Sequence, residues 1–253
     1  DLVSYFWSGK HHRSVKGINL ITLYATDQNG QNIPINFRIY DKSEGKTKND
    51  YFMDMLSEVL SWGAKIQFIT GDSWYSSTGN LKTIRKHGIR FMFGIDCNRK
   101  VSPEKGQWFQ LRLLPNFHQG QVVWLKDFGF VQLFKTQLKE QQRFYIVHQD
   151  EDDLLSFEGF DELHSSHWKI EQYHRVIKQV CHIEKFQVRR SKLILNHIFS
   201  ALMAYVEIQK NQFERIFENV YRWQKKLFRP VIKNFIDDFI LDKNHLLPQR
   251  IYK

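Results

Sequence analysis

The sequence predicts a mixed α/β fold, with a sheet of mixed strand direction flanked by helices, and three observations support this. Up to residue 105, segments rich in β-branched and aromatic residues alternate with segments of helical apolar spacing. From 106 to 156, three apolar stretches follow one another without a helical segment between them. From 157 onward the apolar spacing is helical again. We therefore expect a first α/β part at 1–105, an antiparallel β insertion at 106–156 and a helical part at 157–253.

The first part is predicted to be a hairpin followed by alternating helices and strands. Two strands within 14–42 flank Asn29 and Gly30, a dipeptide typical of tight hairpin turns. A helix is expected at 49–64, where apolar residues recur three and four positions apart. The remaining elements are a strand at 65–72, a helix at 77–88 and a strand at 89–96. This order predicts parallel strands beside the antiparallel hairpin.

The second half is predicted to contain three strands and then helices alone. Two strands within 122–134 flank a tight turn at 127–129, and a third lies at 143–149. A helix at 161–181 carries an apolar face that includes Trp168 and Tyr173. Two further helices are expected, at 192–211 and at 213–241.

The charge balance indicates a polyanionic partner. Lysine and arginine number 37 against 27 aspartate and glutamate, a formal net charge of +10, and nucleic acid is the commonest partner of so basic a protein. The two cysteines, Cys97 and Cys181, provide neither a disulfide framework nor zinc-ligand spacing, so a reducing, cytoplasmic setting is expected. The longest apolar stretch, 197–208, is too short to span a membrane, and no membrane partner is expected.

An acidic residue, Asp72, ends the predicted strand at 65–72, within the stretch FITGDSWYSS. Open α/β sheets bind their ligands at the carboxyl ends of strands, which is where Asp72 lies. Two interpretations are open: Asp72 caps the helix that follows, or it holds a metal ion. The second interpretation requires another acid from elsewhere in the chain.

The predicted helix at 161–181 offers such an acid on a polar stripe. The stripe consists of residues spaced three and four apart, His164, His167, Glu171, Arg175 and Lys178. One interpretation is a solvated helix face with an ion pair between Glu171 and Arg175. The other joins Glu171 to Asp72 as a carboxylate pair that holds Mg²⁺, while the basic residues bind the phosphodiester that is cut.

Taken in order, these segments resemble the DDE insertion-sequence transposases, whose catalytic domain has a ribonuclease-H-like fold. The segment 14–42 is similar to the family's hairpin after its first strand, and FITGDSWYSS is similar to the strand that bears the second catalytic Asp. A β-rich insertion and a helix with the catalytic Glu follow. The resemblance covers about residues 14–205 and implies a ribonuclease-H-like mixed sheet flanked by helices.

The helix also resembles the transposase subgroup with the YREK signature, in which a Tyr, an Arg, the Glu and a Lys recur at fixed spacing. With Glu171 as the Glu, Lys178 matches the Lys, whereas His164 stands at the Tyr position and His167 at the Arg position. The Trp-x-Ile-Glu core of the signature is present, with Trp168 as its first residue.

The resemblance implies a function and its cofactor. Asp72 and Glu171 would be catalytic residues that bind Mg²⁺, with Mn²⁺ as a substitute. The enzyme would hydrolyse phosphodiesters and transfer strands at transposon ends, with terminal inverted repeats and target DNA as partners. The implied assembly is a synaptic complex that contains a homodimer, in a prokaryotic cytoplasm and associated with the nucleoid.

Six basic residues are candidates for contacts with DNA: Lys178, His167, His164, Arg175, Arg189 and Arg190. The resemblance implies that Lys178 lies near the transposon end and that His167 replaces an Arg as a phosphate contact. His164 would stack or donate a hydrogen bond there. Arg189 and Arg190 follow the helix in the stretch QVRRSK and are candidates for backbone contacts.

A DDE site requires a first Asp in a strand before the hairpin. Only 13 residues precede the predicted hairpin, and Asp1 is followed by nothing that resembles that strand. We therefore expect the first catalytic Asp upstream of residue 1, in a transposase truncated at its N-terminus. Two alternatives remain: a catalytically incomplete, transposase-derived DNA-binding remnant, and a host ribonuclease-H-like nuclease.

Overall fold

The structure is a computed structural model that describes residues 2–8, 11–27, 29–104, 106–138, 141–149 and 153–245. The chain divides into two compact units. The first comprises residues 1–25 and 34–171, and the second comprises residues 26–33 and 172–253.

Eleven strands and six helices follow one another within these described ranges. The strands are β1 (Ser4–Ser8), β2 (Arg13–Gly17), β3 (Leu20–Thr26), β4 (Asn32–Ile39), β5 (Phe68–Gly71), β6 (Arg90–Ile95), β7 (Lys100–Ser102), β8 (Phe109–Gln110), β9 (Gln121–Leu125), β10 (Gly129–Leu138) and β11 (Gln141–His148). The helices are α1 (Lys48–Ser61), α2 (Thr78–Lys86), α3 (Phe157–His167), α4 (Lys169–Gln179), α5 (Ser191–Phe213) and α6 (Val220–His245).

A seven-stranded mixed sheet forms the centre of the first unit. Its strand order is β5-β6-β11-β10-β9-β7-β8, with β5 parallel to β6 and the pairs β6–β11, β11–β10 and β10–β9 antiparallel. The strands predicted within 106–156 thus extend the sheet that β5 and β6 begin. β1 pairs with β2, and β3 with β4, as two separate ribbons. The domain boundaries at 105 and 156 stay a prediction.

Helices cover both faces of this sheet. On one face, α1 and α2 place Phe52, Leu56 and Leu81 in a core with Phe91 and Phe93 of β6. On the other face lies a second core to which α3 contributes Phe160 and Leu163; its members also include Met92, Phe134, Tyr145 and Val147. The rings of Phe134 and Phe160 are parallel, with centroids 4.3 Å apart. The predicted fold, a mixed sheet flanked by helices, is therefore confirmed and is consistent with a ribonuclease-H-like domain.

Local sequence explains where these helices begin. Thr47 and Asp50 form a capping box at the start of α1, in which each side chain accepts a hydrogen bond from the other's backbone N–H. Ser77 caps α2 and Ser156 caps α3 by accepting from the backbone N–H three residues later. The helix that positions the candidate site, α3, is thus fixed at its first turn by Ser156 and along its length by Phe160.

The second unit contains most of α4, together with α5 and α6. Tyr173 of α4 meets Tyr205 of α5 edge to face, with ring centroids 4.9 Å apart. His197 of α5 shares a hydrogen bond of 3.2 Å with the carbonyl oxygen of His182, which ties α5 to the turn after α4. No helix in the described ranges is long and apolar enough to cross a membrane.

Two features differ from the sequence analysis. The helix predicted at 161–181 is two helices, α3 and α4, separated at Trp168, which is 47% exposed rather than part of the apolar face. The buried face of α4 consists of Tyr173, Val176 and Ile177. In addition, residues before the predicted hairpin (β1) pair with the first residues of the segment assigned to it (β2), and this ribbon was not expected from the sequence.

Candidate active site

Asp72 directly follows β5, where period-two alternation decides which way each side chain points. Phe68 packs in the core on the α3 side of the sheet, and Ile69 packs in the opposite core. Thr70 and Asp72 continue the series of Phe68, so both side chains are directed to the face that α3 covers. The sequence contains no clear signal for this, because Phe68 and Ile69 are both apolar and show no alternation.

Gly71 allows β5 to lie close to its neighbour. A Cβ atom at Gly71 would come within 2.5 Å of the ring of Phe93, which is completely buried. Gly94 of β6 has a similar role, since a Cβ there would lie 3.1 Å from the backbone nitrogen of Ser73. Glycine therefore occurs beside Asp72 because β5 and the turn after it are pressed against β6.

Asp72 does not act as a helix cap in the structure. It precedes a 3-10 turn at 73–75, and its side chain makes no capping hydrogen bond to that turn. The next helix, α2, is capped by Ser77 instead. Of the two interpretations that the sequence left open, the capping role of Asp72 is therefore wrong.

His167, at the last residue of α3, connects the helix to the end of β5. Its Nδ1 atom shares a hydrogen bond of 3.0 Å with Oγ1 of Thr70, and its Nε2 atom lies 3.6 Å from Oδ1 of Asp72. The imidazole is 16% exposed, whereas the side chain of Asp72 is 69% exposed. The partly buried ring thus faces an open carboxylate.

Glu171 lies one helical turn after His167. The residue between α3 and α4, Trp168, keeps right-handed helical dihedrals (φ −63°, ψ −17°), so the chain continues in nearly the same direction. Four residues of helix advance by about 6 Å. Glu171 therefore follows, by one helical turn, the residue that contacts Asp72. Glu171 itself is exposed.

His164 is held one turn earlier on α3. Its Nε2 atom shares a hydrogen bond of 3.0 Å with the hydroxyl of Tyr145, and its ring stacks on Phe160 at 5.7 Å. Burial lowers the pKa of His164, and the neighbouring His167 adds to this effect. A neutral His164 that is bound to the sheet is consistent with a part in positioning α3.

The sequence analysis missed two other contributors to the site, Lys48 and Thr70. Nζ of Lys48, at the start of α1, lies 5.1 Å from the ring centroid of Trp74, which is two residues after Asp72. Burial lowers the pKa of Lys48. Burial and the charge of Asp72 together raise the pKa of Tyr75 to about 12, so this phenol stays neutral beside the acid. Nothing in the local pattern around Lys48 links it to position 72.

The other predicted DNA contacts lie in the second unit. Nζ of Lys178 forms an ion pair of 2.9 Å with Glu184, and both side chains are more than half exposed. Arg175, Arg189 and Arg190 are also exposed. Because such exposed pairs contribute little stability, Lys178 can exchange Glu184 for another anion at small cost. The DNA contacts of these residues stay predictions.

The ligand chemistry of Asp72 and Glu171 fits Mg²⁺. Mg²⁺ prefers oxygen ligands and is usually held by one or two carboxylates, together with water and substrate phosphates. An exposed pair of carboxylates leaves space for water and phosphate. In the part of the chain that the structure describes, no group of three or more His, Cys, Asp or Glu side chains is arranged to hold a metal ion.

Comparison with known proteins gives a match at the level of the family. A family model described as "Transposase DDE domain" matches residues 3–206 of the 253-residue chain. The matched range contains β1 through most of α5, and with them Asp72, His167, Glu171 and Lys178. No curated protein was found to match the chain.

Proposed function

The chain belongs to the DDE transposase family, and on that premise we propose that Asp72 and Glu171 are the metal-binding acids of its catalytic site. Membership of the family makes the protein a DNA transposase in general terms. We propose further that it cleaves phosphodiesters at the ends of a mobile element and transfers the freed strands to target DNA.

One observation carries this proposal: the contact between His167 of α3 and Asp72 after β5. It links two segments that are far apart in sequence, and Glu171 follows His167 by one helical turn; we propose that the two carboxylates share one cation. An exposed carboxylate pair repels itself unless a cation lies between its members; two unit charges 5 Å apart interact by about 3 kcal/mol at an effective dielectric near 20. A divalent cation would remove that repulsion.

The roles of the side chains follow from their positions. Asp72 and Glu171 would hold Mg²⁺ or Mn²⁺, and His167 and Thr70 would keep the Asp72 carboxylate in place. The bound metal would supply Lewis acidity, both for the attacking water or 3′-hydroxyl and for the leaving oxygen. Trp74, 67% exposed beside Asp72, would limit the access of water on one side of the site.

DNA binding is proposed to depend on the exposed cations of the second unit. Lys178, Arg175, Arg189 and Arg190 would contact backbone phosphates, each adding to the salt dependence of binding. The proposed partners are the terminal inverted repeats of the element and its target DNA. Two protomers would meet in a synaptic complex, in a prokaryotic cytoplasm at the nucleoid.

The proposal is tested by strand cleavage with matched acid variants. The protein is produced from its complete reading frame and incubated with plasmid DNA and Mg²⁺ or Mn²⁺, and nicked product is quantified. Asp72→Asn and Glu171→Gln should each lower cleavage by about 100-fold or more, since loss even of residues that orient metal ligands costs 10- to 100-fold. Glu162→Gln, which removes an exposed acid elsewhere on α3, is the control and should cleave normally. Unchanged cleavage by Asp72→Asn would refute the assignment.

A second candidate function is DNA binding without cleavage. It is favoured by the net charge of +10, which supports binding to DNA whether or not the acids hold a metal. The same assay separates the two candidate functions. DNA binding without cleavage predicts salt-dependent DNA binding with no metal-dependent nicking by the wild-type protein. Preferential binding to one terminal-repeat sequence would link either candidate to transposition.

A further inference from the structure

The β1–β2 ribbon presents an aromatic and basic outer face. In the antiparallel register Tyr5 is opposite Lys16, and Trp7 is opposite Ser14. Tyr5 and Trp7 are two residues apart on one strand, so they share a face, and they are 62% and 68% exposed. Both rings therefore lie in solvent, next to a lysine.

The opposite face of the ribbon is anchored to the rest of the first unit. The ring of Phe6 lies 5.8 Å from that of Tyr40. Nζ of Lys42 donates a hydrogen bond of 2.6 Å to the carbonyl oxygen of Tyr5 and lies 5.1 Å from the centroid of Phe6. Since the inner face is fixed, the exposure of Tyr5 and Trp7 is a consequence of strand alternation and not of a detached segment.

All charged residues of the ribbon segment are basic. Residues 2–17 contain no Asp or Glu and include Lys10, Arg13 and Lys16, together with His11 and His12. Arg13 and Lys16 are exposed, and neither takes part in an ion pair within the described part of the chain. Lys16, opposite Tyr5, belongs to the outer face, whereas Arg13 is opposite Ser8 and belongs to the face of Phe6. Nothing within the ribbon neutralises Lys16, so the outer face attracts anions.

We propose that the outer face of the β1–β2 ribbon is a DNA-binding surface that stacks unpaired bases on Tyr5 and Trp7 while Lys16 binds a flanking phosphate. This rests on the proposed function only in that the protein acts on DNA; the ribbon is separate from Asp72 and Glu171. Exposed aromatic rings beside cations are the combination with which proteins bind single strands, because every base has a face that can stack.

The test measures the binding of oligonucleotides to the full 253-residue chain by fluorescence anisotropy. One probe is a single-stranded oligonucleotide, and the other has the same length and backbone but abasic sites throughout its central part. Trp7→Ala should weaken binding to the first probe about 5-fold or more, from the typical contribution of one stacked base, and leave binding to the abasic probe unchanged. Lys16→Ala should weaken binding to both probes and lower the slope of log K against log salt by about 0.7.

Trp62→Ala is the matched control, because Trp62 is 61% exposed at the end of α1, outside the ribbon. It should bind both probes like the wild type. Thermal melting checks that the variants fold, which is expected since all these side chains are exposed. Equal binding of the single-stranded probe by Trp7→Ala and the wild type would overturn the proposal, as would equal losses on both probes. If the wild-type chain binds no DNA at all, the proposed function fails together with this inference; if it binds and only the ribbon variants are neutral, this inference alone fails.

Discussion

The close approach of β5 to β6 makes Gly71→Ala a sharp test of how Asp72 is positioned. The added Cβ would lie 2.5 Å from Cε1 and 2.9 Å from Cδ1 of Phe93. The Phe93 ring cannot move away easily, because it is fully buried and lies against Phe91, with ring centroids 5.6 Å apart. Insertion of a methyl group into a filled core typically costs about 1–3 kcal/mol. We expect Gly71→Ala to lower the free energy of unfolding by this amount.

The assay is urea denaturation, with Gly79→Ala as the matched control. Gly79 lies in α2, and a Cβ there would meet nothing within 4 Å. The same substitution should therefore stabilise the protein by about 0.5–1 kcal/mol, because alanine favours a helix over glycine. In a Phe93→Leu background the cost of Gly71→Ala should fall, since the smaller side chain leaves room. If Gly71→Ala proves neutral or shows no coupling to Phe93, the account of why glycine precedes Asp72 is refuted.

Three further outcomes are expected. Phe160→Ala should cost about 3–5 kcal/mol in urea denaturation, because the ring is fully buried against Phe134; a cost below 1 kcal/mol would mean that α3 is not docked as described. The pKa of His164 is lowered in the folded protein, so the unfolded chain holds the proton of this imidazole more tightly. The free energy of unfolding should therefore fall as pH drops below about 6.5. His164→Gln should reduce this loss between pH 7.5 and 5.5. An identical pH dependence in both proteins would contradict that cause. Arg189→Ala and Arg190→Ala should each lower the salt slope of duplex DNA binding by about 0.9, and an unchanged slope would remove them from the interface.

Much of the fold could be predicted because local sequence and tertiary structure agree in many segments of the first hundred residues. Asn29 and Gly30 form the turn between β3 and β4, and the helical apolar spacing before Gly63 gives α1 within a few residues. Asp72 was identifiable because it ends a short apolar strand. In these segments the conformation that the local sequence favours is also the one that packs into the folded protein. Sequence patterns are informative under this condition.

The remaining features depend on contacts between distant residues. The break at Trp168 was missed because its dihedrals stay helical, so the spacing of apolar residues continues across it. The ribbon of β1 and β2 was missed because two of its three aromatic residues face solvent and give no apolar run. The partners of His167, Thr70 and Asp72, are nearly a hundred residues away in sequence. The contact of His167 with DNA stays a prediction, whereas its contact with Asp72 is observed.

The central claim, that Asp72 and Glu171 bind one metal ion together, is tested most directly by metal-directed cleavage of the protein backbone. Fe²⁺ replaces Mg²⁺, and ascorbate with peroxide generates hydroxyl radicals that cut the chain close to the bound ion. The account predicts cuts near residues 70–74 and near residues 167–172 in the same molecules, both suppressed by excess Mg²⁺ and both lost in Asp72→Asn. Cuts at only one of these segments, or cuts that survive Asp72→Asn, would contradict it.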